Sequence, residues 1–365
     1  MGTEEMVVLG EVAAEAAEAS GLPVSRRDVE RLVVALWEGP KDVWQLTALS
    51  RCPFNAVLAI LASLRSRGWV NVNERAWLTP SGRKTMQGLT PYPSTACSQC
   101  FGTGVSLAGH EALLERFAAI ASGRPSPVPG YDQGYLTVES SIRRVLAMAS
   151  RGDLSNKDLL VLGDDDLISI AAALTGLPRK VTVVEIDRRL TDFIDGVAED
   201  YVLPIRTVAL DLRLPLPAEF RRAFDTFITD PPDTAPGQIL FLSRGISGLR
   251  GAGCAGYFGF TLVEANLYTW REVQGFLFTD ARFAVTDMLP DFSRYENWPY
   301  LLDTVDFSSM PELARQPETH WYRSTFYRIE ALSDSRFDLD PEVAHLRDED
   351  LYLSGTSLIK PAGGK

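Results

Sequence analysis

From residue 158 onward, short apolar runs alternate with stretches of helical period. "LLVLG" reads as a buried strand, and "LISIAAALTG" as a helix that stops at Gly176. "VTVVEID" is the next strand, followed by the helix "RRLTDFIDGVAEDY". "RTVALD" is a third strand and "FDTFITD" a fourth, which runs into two prolines. "QILFLSR" is expected as a fifth strand, with later strands at 275–279, 284–289 and 325–330. Strands that are apolar throughout, separated by helices, indicate a mostly parallel sheet covered on both faces. The expected fold class is therefore α/β and Rossmann-like.

The upstream chain has a different period. Val29, Leu32, Val33 and Leu36 share one helix face, and a second helix is expected at 43–49. A third starts near Pro53, carries Val57, Leu58, Ile60, Leu61 and Leu64, and ends at Gly68. A hairpin at 69–72 and 76–78 and a closing helix follow, which is the order of a winged helix. The expected organisation is an N-terminal extension at 1–23, a winged-helix-like domain at 24–90 and a linker at 91–133. A sheet domain at 134–330 and a surface tail at 331–365 complete it. The linker holds Cys97 and Cys100, then a helix at 107–120. The first helix of the sheet domain starts near Thr137, whose hydroxyl suits a cap.

Charge and composition narrow the function. The chain has 365 residues, is 45% hydrophobic and carries a formal charge of -12. So acidic a surface attracts cations and repels phosphate backbones. Residues 24–90 differ, with ten basic against five acidic side chains. A DNA-binding wing would use that excess. A packing or dimerisation module is favoured instead, because the helix at 53–65 that would face a groove is mostly apolar. The first twenty residues lack the basic start and apolar run of a signal peptide, and no stretch suits a membrane span. Four cysteines are too few for a disulfide scaffold. A cytoplasmic protein is expected. One CxxC is half of a zinc site, so a tight loop, with no metal, is the simplest account of Cys97 and Cys100.

The candidate chemistry lies where the strands end, since ligands of such sheets bind at their carboxyl edge. Strand one ends in Gly163, Asp164, Asp165 and Asp166, strand two in Glu185 and Asp187, and strand three in Asp211. Strand four ends in Asp230, Pro231, Pro232 and Asp233. A phosphate-binding loop would present closely spaced glycines and bare N–H groups. Three aspartates there argue for a ligand neutral at its sugar and positive elsewhere. One or two of them would also serve as a helix cap. Glu185 suits ribose hydroxyls and Asp211 an adenine amino group, so a nucleoside bearing a sulfonium fits. Two prolines stiffen the last loop and hold Asp230 where it can bind an amine or take its proton.

The stretches "YDQGYLTVESSIRR", "LGDDDLISIAAALTG", "VTVVEIDRRLTDFI" and "FDTFITDPPDT", with the CxxC and "FGTG", resemble the branched-chain polyamine synthases, the N4-bis(aminopropyl)spermidine synthases. That resemblance implies a catalytic fold of the class I methyltransferase type and a homodimer. It implies decarboxylated S-adenosylmethionine as co-substrate, with no tightly bound cofactor, and spermidine as acceptor. By that likeness Asp165, Asp166 and Asp230 would be catalytic. Gly163, Asp164, Glu185, Asp187 and Asp211 would hold the donor. Tyr131, Asp132 and Gln133 would cover the amine, and Asp233 would bind it. Two other readings remain open here. One is a methyl or aminocarboxypropyl transferase using intact S-adenosylmethionine, whose carboxylate would need a positive or backbone N–H partner near the first loop, with Arg143 or Arg144 as a source of charge. The other is a DNA-binding regulator that senses a small cation.

Overall fold

In the computed structural model, which describes residues 3–89, 97, 100, 102–299, 301–339 and 346–353, the chain opens with helix α1 (Thr3–Ser20). Side-chain caps then open α2 (Arg26–Trp37) and α3 (Val43–Ser50). Ser25 and Asp42 each accept from the backbone three residues on, and the third residue reciprocates. Helix α4 (Phe54–Ser66), hairpin β1 (Val70–Val72) and β2 (Ala76–Leu78), and α5 (Pro80–Thr85) follow. Three helices and a hairpin are thus in the expected order. The N-terminal extension is itself a helix packed on α4, with Leu9, Val12, Ala13 and Ala16 buried.

The basic excess of this region is answered inside the molecule. Arg67 pairs with Glu15 at 2.6 Å, Arg51 with Asp291 at 2.7 Å and Arg75 with Glu318 at 2.7 Å. Arg65 pairs with Glu312. Three of these four acids come from the C-terminal half of the chain. The Trp44 indole N–H donates to the Arg315 carbonyl at 2.7 Å. One continuous apolar cluster runs from Leu9 through Trp44 and Phe54 to Leu159, Val161 and Phe326. These contacts pack residues 24–90 against the rest of the chain. Of the linker's CxxC, Cys97 is exposed and Cys100 half-buried, and the two residues between them lie outside those described.

Helix α6 (Glu111–Ala121) and α7 (Val138–Ser150) lead into the sheet. Thr137 caps α7 as expected, accepting from the Ser140 N–H. Strands and helices then alternate: β3 (Asp158–Leu162), α8 (Ile168–Leu174), β4 (Lys180–Glu185), α9 (Arg188–Tyr201), β5 (Ile205–Ala209) and β6 (Thr226–Thr229). Next come α10 (Ala235–Gly248), β7 (Ala255–Phe260), α11 (Leu267–Gly275) and β8 (Phe283–Arg294). A short α12 (Leu301–Thr304), then β9 (Arg323–Ala331) and α13 (Asp348–Tyr352), end the described chain. The seven-stranded sheet has the order β5-β4-β3-β6-β7-β9-β8, parallel from β5 to β7, with β9 antiparallel to both its neighbours. No single helix among the described residues is long and apolar enough to cross a membrane.

Three expectations fail, each for a local reason. "QILFLSR" lies in α10, not in a strand. Thr234 caps that helix, a proline sits in its first turn, and it is buried on most of its surface. An apolar run long enough for a buried helix looks like a buried strand. Residues 275–279 lie at the end of α11 and in the helical turn 276–281. The missed strand is β7, whose glycines lower strand propensity. One of them, Gly256, is there because Phe227 occupies the space beside it, as it also does beside Gly245 of α10. A Cβ on Gly256 would meet the Phe227 ring at 2.2 Å, and one on Gly245 at 2.5 Å.

Gly256→Ala should therefore overpack the sheet and destabilise the protein by about 1–3 kcal/mol. Chemical denaturation measures this, and an unchanged midpoint would contradict the packing described.

Candidate active site

The strand order reverses at β3, so the carboxyl ends of β3 and β6 open a crevice. Leu162 and Thr229 are paired across these strands, which brings the loops beginning at Gly163 and Asp230 side by side. Gly163 turns the chain at φ +67°, a conformation that glycine adopts freely. The Asp164 N–H then donates to Glu185 Oε2 at 2.8 Å, and the Asp187 N–H to Glu185 Oε1 at 2.8 Å. Glu185 is locked between the two loops while its carboxylate still faces the cleft.

The cleft spans about 1150 Å³ when the open solvent at its mouth is included. Seven carboxyl side chains line it: Asp132, Asp165, Glu185, Asp211, Asp230, Asp233 and Glu264. Among the described residues its lining includes no Arg, Lys or His. Tyr131, Gln133, Gly163, Tyr295, Trp298 and Tyr322 are also on the wall. Burial, with Asp166, Glu185 and Asp230 close by, pushes the Asp165 carboxyl well above the usual range. Its side chain takes no hydrogen bond or ion pair from the described residues, while its carbonyl accepts from Arg124 at 2.9 Å. Burial and then Glu264, Asp233 and Asp230 raise Asp132 in the same way. Asp132 sits at φ +54°, a region open to Asp but sparsely populated.

Of the residues singled out in the sequence, Asp164, Asp166 and Asp187 do not reach the cleft wall. Asp164 is fully buried and accepts from the Ser169 N–H at 3.3 Å and from its hydroxyl, holding the start of α8. Asp187 caps α9, accepting from the Arg189 N–H, and takes a 3.0 Å bond from Gln133 Nε2. Gln133 thus ties the 131–133 segment to α9 as well as lining the cleft. Asp166 accepts from the Leu136 N–H at 2.6 Å and lies 3.7 Å from Arg144. Burial and Asp230 raise Asp166 to about 7 against the pull of Arg144. Asp211 is on the wall, bound by Arg213 at 2.6 Å. Burial pushes it up, but Arg213 holds it below the usual carboxylate value.

Arg144 organises the back of the site. It is fully buried, and Nη2 donates to both Asp230 oxygens at 3.2 Å, to Tyr295 at 3.2 Å and to Ser324 at 3.3 Å. Nε donates to Ser293 at 2.9 Å. Arg144 is thus engaged by protein carboxylates, and neither Arg143 nor Arg144 lines the cleft to receive a substrate carboxylate. The sequence reading missed Tyr295, Tyr322, Trp298, Ser324 and Glu264. It followed the carboxyl ends of parallel strands, whereas β9 runs antiparallel and brings its amino end, Tyr322 and Ser324, to the same edge. Glu264 follows the unrecognised strand β7. Gly259, on that strand, is required beside Asp230, because a Cβ there would meet Asp230 Oδ1 at 1.9 Å. The C-terminal tail contributes Leu351 and Tyr352 to the wall. Its residues 340–345 and 354–365 lie outside those described.

Comparison with known proteins decides the family. The model of the branched-chain polyamine synthase A C-terminal domain matches residues 112–357. The chain belongs to the branched-chain polyamine synthase family. It is 43% identical over 320 residues to N(4)-bis(aminopropyl)spermidine synthase of Methanocaldococcus jannaschii, covering 87% of this chain and 91% of the relative. The Thermus thermophilus synthase of that name is 39% identical over 345 residues, covering 94% and 98%. The crystal structure of a mutein of the Thermus thermophilus branched-chain polyamine synthase, in complex with N4-aminopropylspermidine and 5'-methylthioadenosine, has a TM-score of 0.86. It is 38% identical, and the match covers 96% of this chain and 99% of that one. The fold of that synthase is therefore the fold of this chain.

The electrostatics give a stability test in this synthase family member. Asp165 is protonated in the folded chain and ionised in the unfolded one between about pH 3.9, the ordinary Asp value, and its raised value. In that window the folded state binds more protons, so stability falls as pH rises. Asp165→Asn removes this loss. Thermal melts of the ligand-free protein should show the variant gaining on the wild type as the pH rises above about 4. A constant or shrinking difference would contradict an unpaired Asp165.

Proposed function

We propose that this chain transfers aminopropyl groups from decarboxylated S-adenosylmethionine to an amine nitrogen of a polyamine, releasing 5'-methylthioadenosine. One observation carries the reading: seven carboxyl groups and no basic side chain line the cleft among the described residues. Such a cleft favours a donor without a carboxylate and an acceptor with several ammonium groups. Family membership and the product pair bound by the Thermus thermophilus mutein support the same assignment.

In this reading Glu185 accepts from the ribose hydroxyls with the lone pairs that the two loop N–H groups leave free. Asp211 lies at the adenine end, beside Leu210, Leu212 and Phe241. Tyr131, Asp132 and Gln133 border the acceptor side, facing Asp230 and Asp233. Asp166, Asp164 and Asp187 hold the loops that present these groups and touch no substrate.

The reaction is a displacement at carbon. The acceptor nitrogen lone pair forms the new C–N bond as the C–S bond breaks, and its electrons stay on sulfur as a neutral thioether. No oxyanion develops, so catalysis rests on alignment of the two reactants and on carboxylates around the positive charge. The attacking nitrogen must first lose a proton. Asp230 suits this role in the sequence, but in the fold it is committed to Arg144 and Tyr295. Asp165, whose side chain has no such bond among the described residues, is the better acceptor once a bound substrate cation has drawn it into its ionised form. Asp230 then positions the amine.

Incubation with decarboxylated or intact S-adenosylmethionine, each with a panel of amines, tests the reading. Mass spectrometry should show an aminopropyl-sized gain on a polyamine only with the decarboxylated donor. Methyl or aminocarboxypropyl products would overturn it. In the same assay Asp165→Asn should lower turnover by roughly 10²-fold or more. Unchanged turnover would remove Asp165 from proton transfer.

A further inference from the structure

Tyr322 stands at the amino end of β9 with its hydroxyl between two carboxyl groups. The oxygen is 2.8 Å from Asp233 Oδ2 and 2.7 Å from Glu264 Oε2. A phenol carries one hydrogen and so donates to one of them. With both carboxyls ionised, the second contact would press two sets of lone pairs together at hydrogen-bond distance. It becomes a hydrogen bond only when Asp233 or Glu264 carries a proton and donates it to the phenol oxygen. The other tyrosine of the site makes the contrast. Tyr295 donates to Asp230 and can accept from Ser324 at 3.0 Å and from Arg144 at 3.2 Å. Its contacts close without an added proton.

The surroundings favour retention of the extra proton. Asp132, from the turn before α7, and Asp230, after β6, both face the pair, and neither adds positive charge. Tyr295 lies edge-on to Tyr322 at 5.0 Å, and Trp298 at 5.6 Å. Tyr352, from α13, stands near Asp132. Arg144, behind Tyr295, is bound to Asp166 and Asp230. The Asp233 carboxylate accepts from the Thr261 N–H at 3.3 Å. Burial and then Glu264 push the Asp233 carboxyl well up, and burial with the two carboxylates pushes the Tyr322 phenol up as well.

We propose that the free enzyme holds one proton on the Asp233–Glu264 pair beside Tyr322, and that an ammonium group of the entering polyamine displaces it to solvent. The proposal rests on the polyamine reading above and adds a proton exchange to it. The carboxyl O–H bond breaks, its electron pair stays on oxygen and the proton passes to buffer. The ammonium keeps its hydrogens and donates one to the new carboxylate in a charge-assisted bond. Polyamine affinity must then rise with pH until the free pair has lost its proton. The stored proton also spares the empty cleft one uncompensated negative charge.

Calorimetric titration of spermidine into the full-length protein near pH 7, in two buffers of different ionisation enthalpy, counts the protons released. The wild type is expected to release about one proton per site more than Glu264→Gln or Asp233→Asn does. Circular dichroism melts verify that the variants fold, and a wild-type titration without release overturns the exchange without them. Spermidine heats that do not vary with buffer would overturn the exchange alone. Unchanged release in both variants would also overturn it, by placing the proton on the bound amine. An absence of any spermidine heat would overturn the polyamine reading and the exchange together.

Discussion

One buried guanidinium sets the geometry of the whole site. Arg144 projects from α7 and is bonded to five residues from four separate places: Asp166 after β3, Asp230 after β6, Ser293 and Tyr295 at the end of β8, and Ser324 on β9. None of these segments is a sequence neighbour of another except β8's own pair. A charge taken out of water must be matched by good geometry or it is strongly unfavourable. The pairing therefore selects the one arrangement of loops in which Asp230 sits beside Asp165. Gly259 permits it, since any side chain there would strike Asp230.

The carboxylates divide into two sets around that cation. Asp166 and Asp230 have Arg144 and lie at the inner wall. Asp132, Asp165, Asp233 and Glu264 face the cleft, whose described lining carries no basic group. The first set keeps the loops in place, and the second presents carboxyl groups to a substrate cation. Acids crowded into one site lower stability and are retained where binding requires them. The N-terminal helices contribute from behind. Trp44 packs on Trp321 at 4.7 Å, Trp321 on Tyr322 at 5.5 Å, and Tyr322 on Tyr295 at 5.0 Å. An aromatic wall thus connects the small helical unit to the two tyrosines that touch the acids.

Much of this was legible in the chain because it is local. A strand that ends in Gly163 and three aspartates, a second that ends in Glu185, and a fourth that ends in two prolines each declare themselves within a few residues. What stayed hidden depends on pairing across long separations. Arg144 is an ordinary residue of an amphipathic helix until Asp230 and Ser324 are brought to it. Tyr322 reaches the site only because β9 is antiparallel, which no short window reveals. The burial of Asp164 and Asp166 is the reverse error. Three aspartates in a row look equivalent, yet successive residues of a tight turn point to different sides, and only Asp165 meets the cleft.

The central claim is that the described cleft wall offers a cation-seeking surface and carries no basic side chain to hold a donor carboxylate. Its most direct test is the equilibrium affinity of the protein for decarboxylated and intact S-adenosylmethionine, measured side by side without acceptor. The decarboxylated form should bind at least about tenfold more tightly, a difference of roughly 1.4 kcal/mol. Equal affinity, or tighter binding of the intact form, would contradict the account.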